Sequence, residues 1–235
     1  VFSIYGILIS LGIFCALLIA ESLVEKQEKD TLWELSFWGI IGGLVGARLY
    51  HVIDYFWLYS KNPILILDLR NGGLGIWGAI AGGFITAIIY LKLHKKSVLK
   101  WFDVAAVVFP LAQSVGRFGN FFNQELYGKA TTLPWGIYIN KTAQYHHPLF
   151  AYEAILNLCL FTTLYCCYKK YSGKVKPGIF FAAYLAGYSL IRFSLEFLRI
   201  NPWTVFGLNI AQTISILVFI YAIYFIGSWW FRTKK

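Results

Sequence analysis

Arg117 stands in the run Ser114-Val115-Gly116-Arg117-Phe118-Gly119-Asn120-Phe121-Phe122-Asn123-Gln124-Glu125-Leu126-Tyr127-Gly128, where one arginine, two asparagines and a glutamate sit among glycines directly after a hydrophobic stretch. An arginine at membrane depth costs about 2.5–3.5 kcal/mol on insertion scales, so a chain that keeps one there pairs it or uses it on a ligand. Gly116, Gly119 and Gly128 let backbone approach that ligand closely. A polar site at a membrane boundary is the first expectation.

Composition supports the membrane half of that reading. Of 235 residues, 58% are hydrophobic and only 14% charged, too apolar for a soluble domain of this length. Seven apolar stretches are long enough to cross about 30 Å of hydrocarbon as helices: 2–20, 35–57, 74–91, 102–116, 149–168, 178–198 and 210–231. The fourth is short, opens near Asp103 and contains Pro110, which predicts a kinked or tilted span. The fold class expected is therefore all-α, a polytopic transmembrane bundle forming a single integral membrane domain over 1–235, with 117–148 as a small head outside the bilayer.

The net charge of +10 raises nucleic acid as a partner, but its distribution argues for lipid instead. Lys92, Lys95, Lys96 and Lys100 fill one loop, Lys169, Lys170, Lys174 and Lys176 another, and Arg232, Lys234 and Lys235 close the chain; these are eleven of the 21 cations. Seven spans put all three clusters on one side, which the positive-inside rule makes cytoplasmic, with the N-terminus outside and the C-terminus inside. The loop 21–34 on that side is acidic, yet acidic residues contribute little to the rule. Residues 1–20 lack a basic start and a small-residue cleavage site and are read as the first span, and the absence of any methionine suggests a few missing N-terminal residues. Cys15, Cys159, Cys166 and Cys167 lie within spans without metal-ligand spacing and read as packing residues. Neither a Walker-type loop nor an HExxH helix occurs, so the chemistry must come from elsewhere.

In this topology the unusual polar residues gather toward the outer ends of the spans. Tyr5 opens the first helix; Arg48, His51 and Asp54 lie along one face late in the second; Asn71-Gly72-Gly73-Leu74-Gly75-Ile76-Trp77-Gly78 leads into the third. Arg117 follows the fourth, His147-Pro148 precedes the fifth with Tyr152 and Glu153 in its first turn, and Tyr188, Arg192, Glu196 and Arg199 form a stripe on the sixth. Ordinary structural readings compete. Gly39, Gly42, Gly43 and Gly46, and Gly75, Gly78, Gly82 and Gly83, have the small-xxx-small spacing of packed helices. Arg192 and Glu196 can neutralise each other, Arg48 can snorkel, and His146 and His147 suit a surface loop. What favours function is convergence of three arginines from three helices, which repel one another unless an anion sits among them. Phospholipid phosphate of the outer leaflet is the candidate.

At these residues the chain resembles the bacterial prolipoprotein diacylglyceryl transferases. The resemblance spans the whole chain: Tyr5-Gly6, Gly42 to Arg48, Asn71 to Leu74, the Gly116–Gly128 run that looks like the family signature, His147-Pro148 with Tyr152-Glu153, and Tyr188 to Arg199. It implies seven spans in the bacterial inner membrane, a site open to the outer leaflet, and no cofactor. It also implies a reaction in which the diacylglyceryl group of phosphatidylglycerol moves to the thiol of a lipobox cysteine in a prolipoprotein signal peptide, forming a thioether and releasing glycerol phosphate.

Carried onto this sequence, that chemistry assigns Arg117 and Arg192 to the departing phosphate. Asn120 and Asn123 would orient glycerol or phosphate oxygens, and Tyr5, Arg48 and Tyr188, with Asn71, Gly72, Gly73, Glu125 and Gly128, would line the substrates. The thiol, with a free pKa of about 8.5, must lose its proton. Family members commonly carry a histidine where this chain has Trp77, so His147, Glu125 or Glu196 takes the proton, or the arginine field alone favours the thiolate. The competing class is a transporter or binding protein for anionic lipid. A transporter calls for a polar path into the cytoplasmic half and paired internal repeats, and neither is evident.

Overall fold

The computed structural model describes residues 4–68 and 72–233, with side chains described through Trp229. Eight α-helices occur among the described residues, in chain order: α1 (Ile4–Leu23), α2 (Lys29–Asp54), α3 (Phe56–Lys61), α4 (Ile76–Leu93), α5 (Val98–Phe122), α6 (Leu149–Tyr171), α7 (Ile179–Glu196) and α8 (Ile210–Thr233). All but α3 are long and apolar enough to cross a membrane, which makes seven candidate spans. The only sheets among the described residues are two antiparallel hairpins, β1 (Ile137–Ile139) with β2 (Gln144–His146), and β3 (Thr204–Val205) with β4 (Leu208–Asn209). The expected all-α membrane bundle is the architecture found.

The chain forms two compact units, one of residues 24–98 and one of residues 1–23 with 99–235. In the first, α2 and α4 pack through glycine. A side chain at Gly46 would meet the Gly78 carbonyl, and one at Gly82 would meet the Gly42 carbonyl. The small-xxx-small spacing therefore marks direct backbone contact, where dispersion and close approach hold helices that gain nothing from leaving lipid. α2 starts at Lys29, six residues before the expected 35, because its charged end finds partners: Glu34 accepts a 2.6 Å hydrogen bond from the Tyr90 hydroxyl on α4.

In the larger unit α1 divides cleanly. Ile7, Leu11, Phe14 and Leu18 recur at helical spacing and stay about half exposed, as a lipid-facing stripe requires, while Gly12, Ala16 and Ala20 are buried. Gly12 lies against Ala112 and Val115 of α5. α5 corrects the sequence expectation. It does not stop at residue 116 but continues to Phe122 through a buried Pro110, so Arg117 and Asn120 are helical residues rather than part of a glycine-broken head. Proline removes one hydrogen bond, and the remaining bonds of a 25-residue helix outweigh it. Gly119 serves packing, its open side occupied by the Tyr5 ring. The turn after α5 is made by Gln124 and Leu126, both with positive φ.

Asp103, expected to weaken the fourth span, instead ties it to another helix. Its buried carboxylate accepts from the backbone N–H groups of Gly178 at 2.7 Å and Phe181 at 2.8 Å, capping α7 from across the bundle. Asp103→Ala should lower stability by about 1–3 kcal/mol through the orphaned amides. Thermal unfolding in detergent checks this, and folded variant should keep its catalytic rate.

Candidate active site

α5 and α6 run antiparallel, fixed by three contacts on one face. The Ser114 hydroxyl donates to the Ala154 carbonyl at 2.8 Å, Phe121 meets Phe150 with ring centroids 5.6 Å apart, and between them Arg117 Nη2 donates to Glu153 Oε1 at 2.5 Å. Glu153 is only 5% exposed. The same carboxylate oxygen accepts from the Tyr188 hydroxyl of α7 at 3.4 Å, so three helices converge on one ion pair. The pair is made through one guanidinium nitrogen, Nη2, of a group that carries five N–H donors in all.

One turn along α7 from Tyr188, Arg192 Nη2 donates to Glu196 Oε2 at 2.8 Å. Glu196 is 3% exposed and takes two more partners, Arg199 Nη1 and Asn209 Nδ2, each at 3.5 Å. Asn209 in turn accepts from the Gln212 backbone at 3.2 Å and so caps α8. α7 ends at Glu196, which takes Arg199 off the expected helical stripe. Arg199 instead forms a β-bridge with Gly128 of the head. A carboxylate engaged by two guanidiniums and a carboxamide has the geometry of an anchor for arginines.

The head clusters around these helix ends. Gly128 donates its N–H to the His147 carbonyl at 2.8 Å and has Leu198, His147 and Leu149 pressed against its open side. That contact makes Gly128 a close-packing residue of the head. His147 is half-buried, with Nδ1 3.2 Å from the Tyr152 hydroxyl, which also accepts from Trp135 Nε1 at 2.8 Å. Nε2 can take a proton in the tautomer that keeps its hydrogen on Nδ1, facing the Tyr152 oxygen. His146 is buried with both ring nitrogens engaged, by the Gly128 carbonyl at 2.7 Å and Thr142 Oγ1 at 2.8 Å. Asn120 is buried, while Asn123 and Glu125 are exposed. The Glu125 N–H closes the turn onto the Asn120 carbonyl at 2.9 Å.

In the other compact unit, Arg48 is 8% exposed and its guanidinium is spent on backbone. Nε donates to Ile66 O at 2.8 Å, Nη1 to Gly72 O and Gly73 O at 2.9 Å each, and Nη2 to Asp68 O at 2.7 Å and to Leu65 O. Five acceptors match its five N–H groups. Arg48 therefore neither snorkels nor reaches for phosphate; it folds the loop before α4. Gly72 and Gly73 take φ of 82° and 76°, a conformation that favours glycine, and Gly73 sits against Arg48 and His51. Asn71 lies outside the described residues.

Comparison with known proteins decides what this constellation belongs to. The sequence matches the family described as prolipoprotein diacylglyceryl transferase over residues 1–228. The chain belongs to that family. It is 36% identical over 225 residues to a phosphatidylglycerol–prolipoprotein diacylglyceryl transferase of Trichormus variabilis, covering 90% of this chain and 80% of the relative. Proteins of the same name from Fervidobacterium nodosum and Symbiobacterium thermophilum are 37% and 36% identical, covering 97% of this chain and 79% and 88% of theirs.

For a diacylglyceryl transferase family member, the resting site differs from the sequence expectation in one physical respect. Repulsion among three arginines does not demand an anion, because Arg117 has Glu153, Arg192 has Glu196 and Arg48 has carbonyls. Glu153, beside Tyr152 in the resemblance, is the residue of this site that the sequence reading leaves out. The cue was its charge within an apolar span, which calls for a partner. Asn209 carried no such cue, since its link to Glu196 depends on a hairpin that sequence pattern did not reveal.

Proposed function

We propose that this chain transfers the diacylglyceryl group of phosphatidylglycerol to the thiol of a lipobox cysteine in a prolipoprotein signal peptide. The observation that carries the reading is the match to the transferase family along residues 1–228, joined to a site of arginine–carboxylate pairs within an apolar helical bundle. In the reaction the cysteine sulfur attacks the carbon of the diacylglycerol moiety that bears the phosphate. The C–S bond forms as the C–O bond breaks, the phosphate leaves with the bonding electrons as glycerol phosphate, and the thiol proton passes to a base. Arg117 and Arg192 hold the phosphate and stabilise the charge that grows on it, an effect enlarged where water is excluded.

Glu153 and Glu196 keep these guanidiniums oriented before substrate arrives, and Tyr188 contacts the first of them. His147 is the strongest candidate for the base. Glu196 is engaged as an anchor, and Trp77 offers no basic atom. The enzyme works as one membrane domain in the bacterial inner membrane, with its N-terminus outside and the site open to the outer leaflet. That orientation rests on the cytoplasmic placement of the basic loops.

The test uses purified protein with phosphatidylglycerol and a synthetic lipobox peptide. A diacylglyceryl mass gain on the peptide cysteine with matching glycerol phosphate release is expected, and neither should occur with Arg117→Ala. Well-folded protein that binds or moves anionic lipid without modifying the peptide would sink the reading in favour of a lipid transporter or binding protein.

A further inference from the structure

Gln113 and Asn157 lie one turn from the Arg117–Glu153 pair on the same two helix faces. Four residues back along α5 from Arg117 is Gln113, and four forward along antiparallel α6 from Glu153 is Asn157, each about 6 Å further from the head at 1.5 Å per residue. Asn157 is 0% exposed, and neither atom of its carboxamide has a hydrogen-bond partner in the protein. Gln113 Nε2 donates to the Tyr184 hydroxyl at 3.0 Å, while its Oε1 is buried and unpartnered. These three unmet polar atoms belong to two side chains of one layer, and a buried polar group without a partner calls for an explanation. Lipid offers them nothing.

Together these side chains offer a buried water the two to four polar partners it needs. Asn157 supplies a donor and an acceptor, Gln113 an acceptor, and Tyr184, which accepts from Gln113, still has its own proton to give. The layer also reaches the site. The Tyr184 ring stacks on Tyr188 with centroids 5.9 Å apart and planes 20° from parallel, and the Tyr188 hydroxyl donates to Glu153.

We propose that Gln113, Asn157 and Tyr184 form an internal water site beneath the Arg117–Glu153 pair, and that this layer positions Tyr188 and Glu153 for diacylglyceryl transfer. The inference rests on the transferase reading. The three side chains are positioning residues: they touch no reacting atom, and they fix the ring and carboxylate that aim Arg117.

The test is steady-state transfer by the full chain in lipid nanodiscs with phosphatidylglycerol and the lipobox peptide. Asn157→Leu should lower kcat about ten- to a hundredfold, the scale of a small misplacement, with KM for lipid unchanged and a lower Tm. Asn157→Ser, which can still bind water, should recover most of the rate, and Tyr184→Phe should reproduce the kcat loss with little change in Tm. If Asn157→Leu is more thermostable and as active as the parent, the carboxamide is only an unmet polar group and the proposal fails. Should Asn157→Leu not fold, an unchanged kcat in Tyr184→Phe overturns it equally. A parent that transfers nothing sinks the transferase reading itself, so the two failures are distinct.

Discussion

Arg117→Lys should lower kcat/KM by about 10²–10³, the scale of losing one preorganised donor to developing negative charge. A lysine keeps the charge, but it replaces a planar fork by a single point of donation. It cannot hold Glu153 Oε1 and two phosphate oxygens in one fixed geometry. Arg117→Ala goes further and should also destabilise the fold by about 3–5 kcal/mol, because it leaves a buried carboxylate without its counter-ion. Pairing Arg117→Gln with Glu153→Gln separates the two effects. With both charges removed, most of the stability should return while transfer stays absent. The measurement is peptide lipidation together with thermal unfolding. An Arg117→Lys variant within threefold of the parent would remove Arg117 from the phosphate.

That experiment turns on a partner the sequence did not assign, and the reason is physical. Apolar length made the seven spans legible, with ends off by a few residues where charged or polar positions found partners inside the bundle. Asp30 and Glu34 lie inside α2, and Asn120 inside α5, because hydrogen bonding and packing decide where a helix stops. Glycine spacing marked two helices for close packing, and the structure packs them on each other as α2 and α4, since only the lack of a side chain allows it. Within the site, Arg117, Arg192, Glu196, Tyr188 and Tyr5 come together on the larger unit's helices or beside them. The pairings themselves were mostly hidden. Arg192 with Glu196 follows from a spacing of four on one helix, whereas Arg117 with Glu153 spans 36 positions and requires the antiparallel register of α5 and α6. Arg48 shows the same limit in reverse. Its residue type and neighbours suggested phosphate, but its acceptors are backbone carbonyls, and those carry no signature in the sequence.

Glu196→Ala should cost about 10²–10³ in kcat/KM by removing the group that orients Arg192, and Glu196→Gln should cost less because an amide oxygen can still accept from one guanidinium. The pH dependence of these variants separates an anchor from a base. A peptide thiol with a pKa of about 8.5 ionises increasingly as pH rises through that value. A variant that has lost only its proton acceptor therefore recovers as pH climbs from 7 to 9, since the substrate then arrives deprotonated. Glu196 holds Arg192, Arg199 and, through Asn209, the start of α8, so its loss misplaces charge that alkaline pH cannot restore. Glu196→Gln and Glu196→Ala should remain impaired by the same factor at pH 9. His147→Ala should instead recover toward the parent rate, because as the base His147 only accepts the thiol proton, at Nε2 in the tautomer that keeps its hydrogen on Nδ1 beside Tyr152. If Glu196→Gln recovers and His147→Ala does not, the assignments exchange. If neither recovers, the arginines themselves favour the thiolate, and raising pH on Arg192→Lys becomes the decisive comparison.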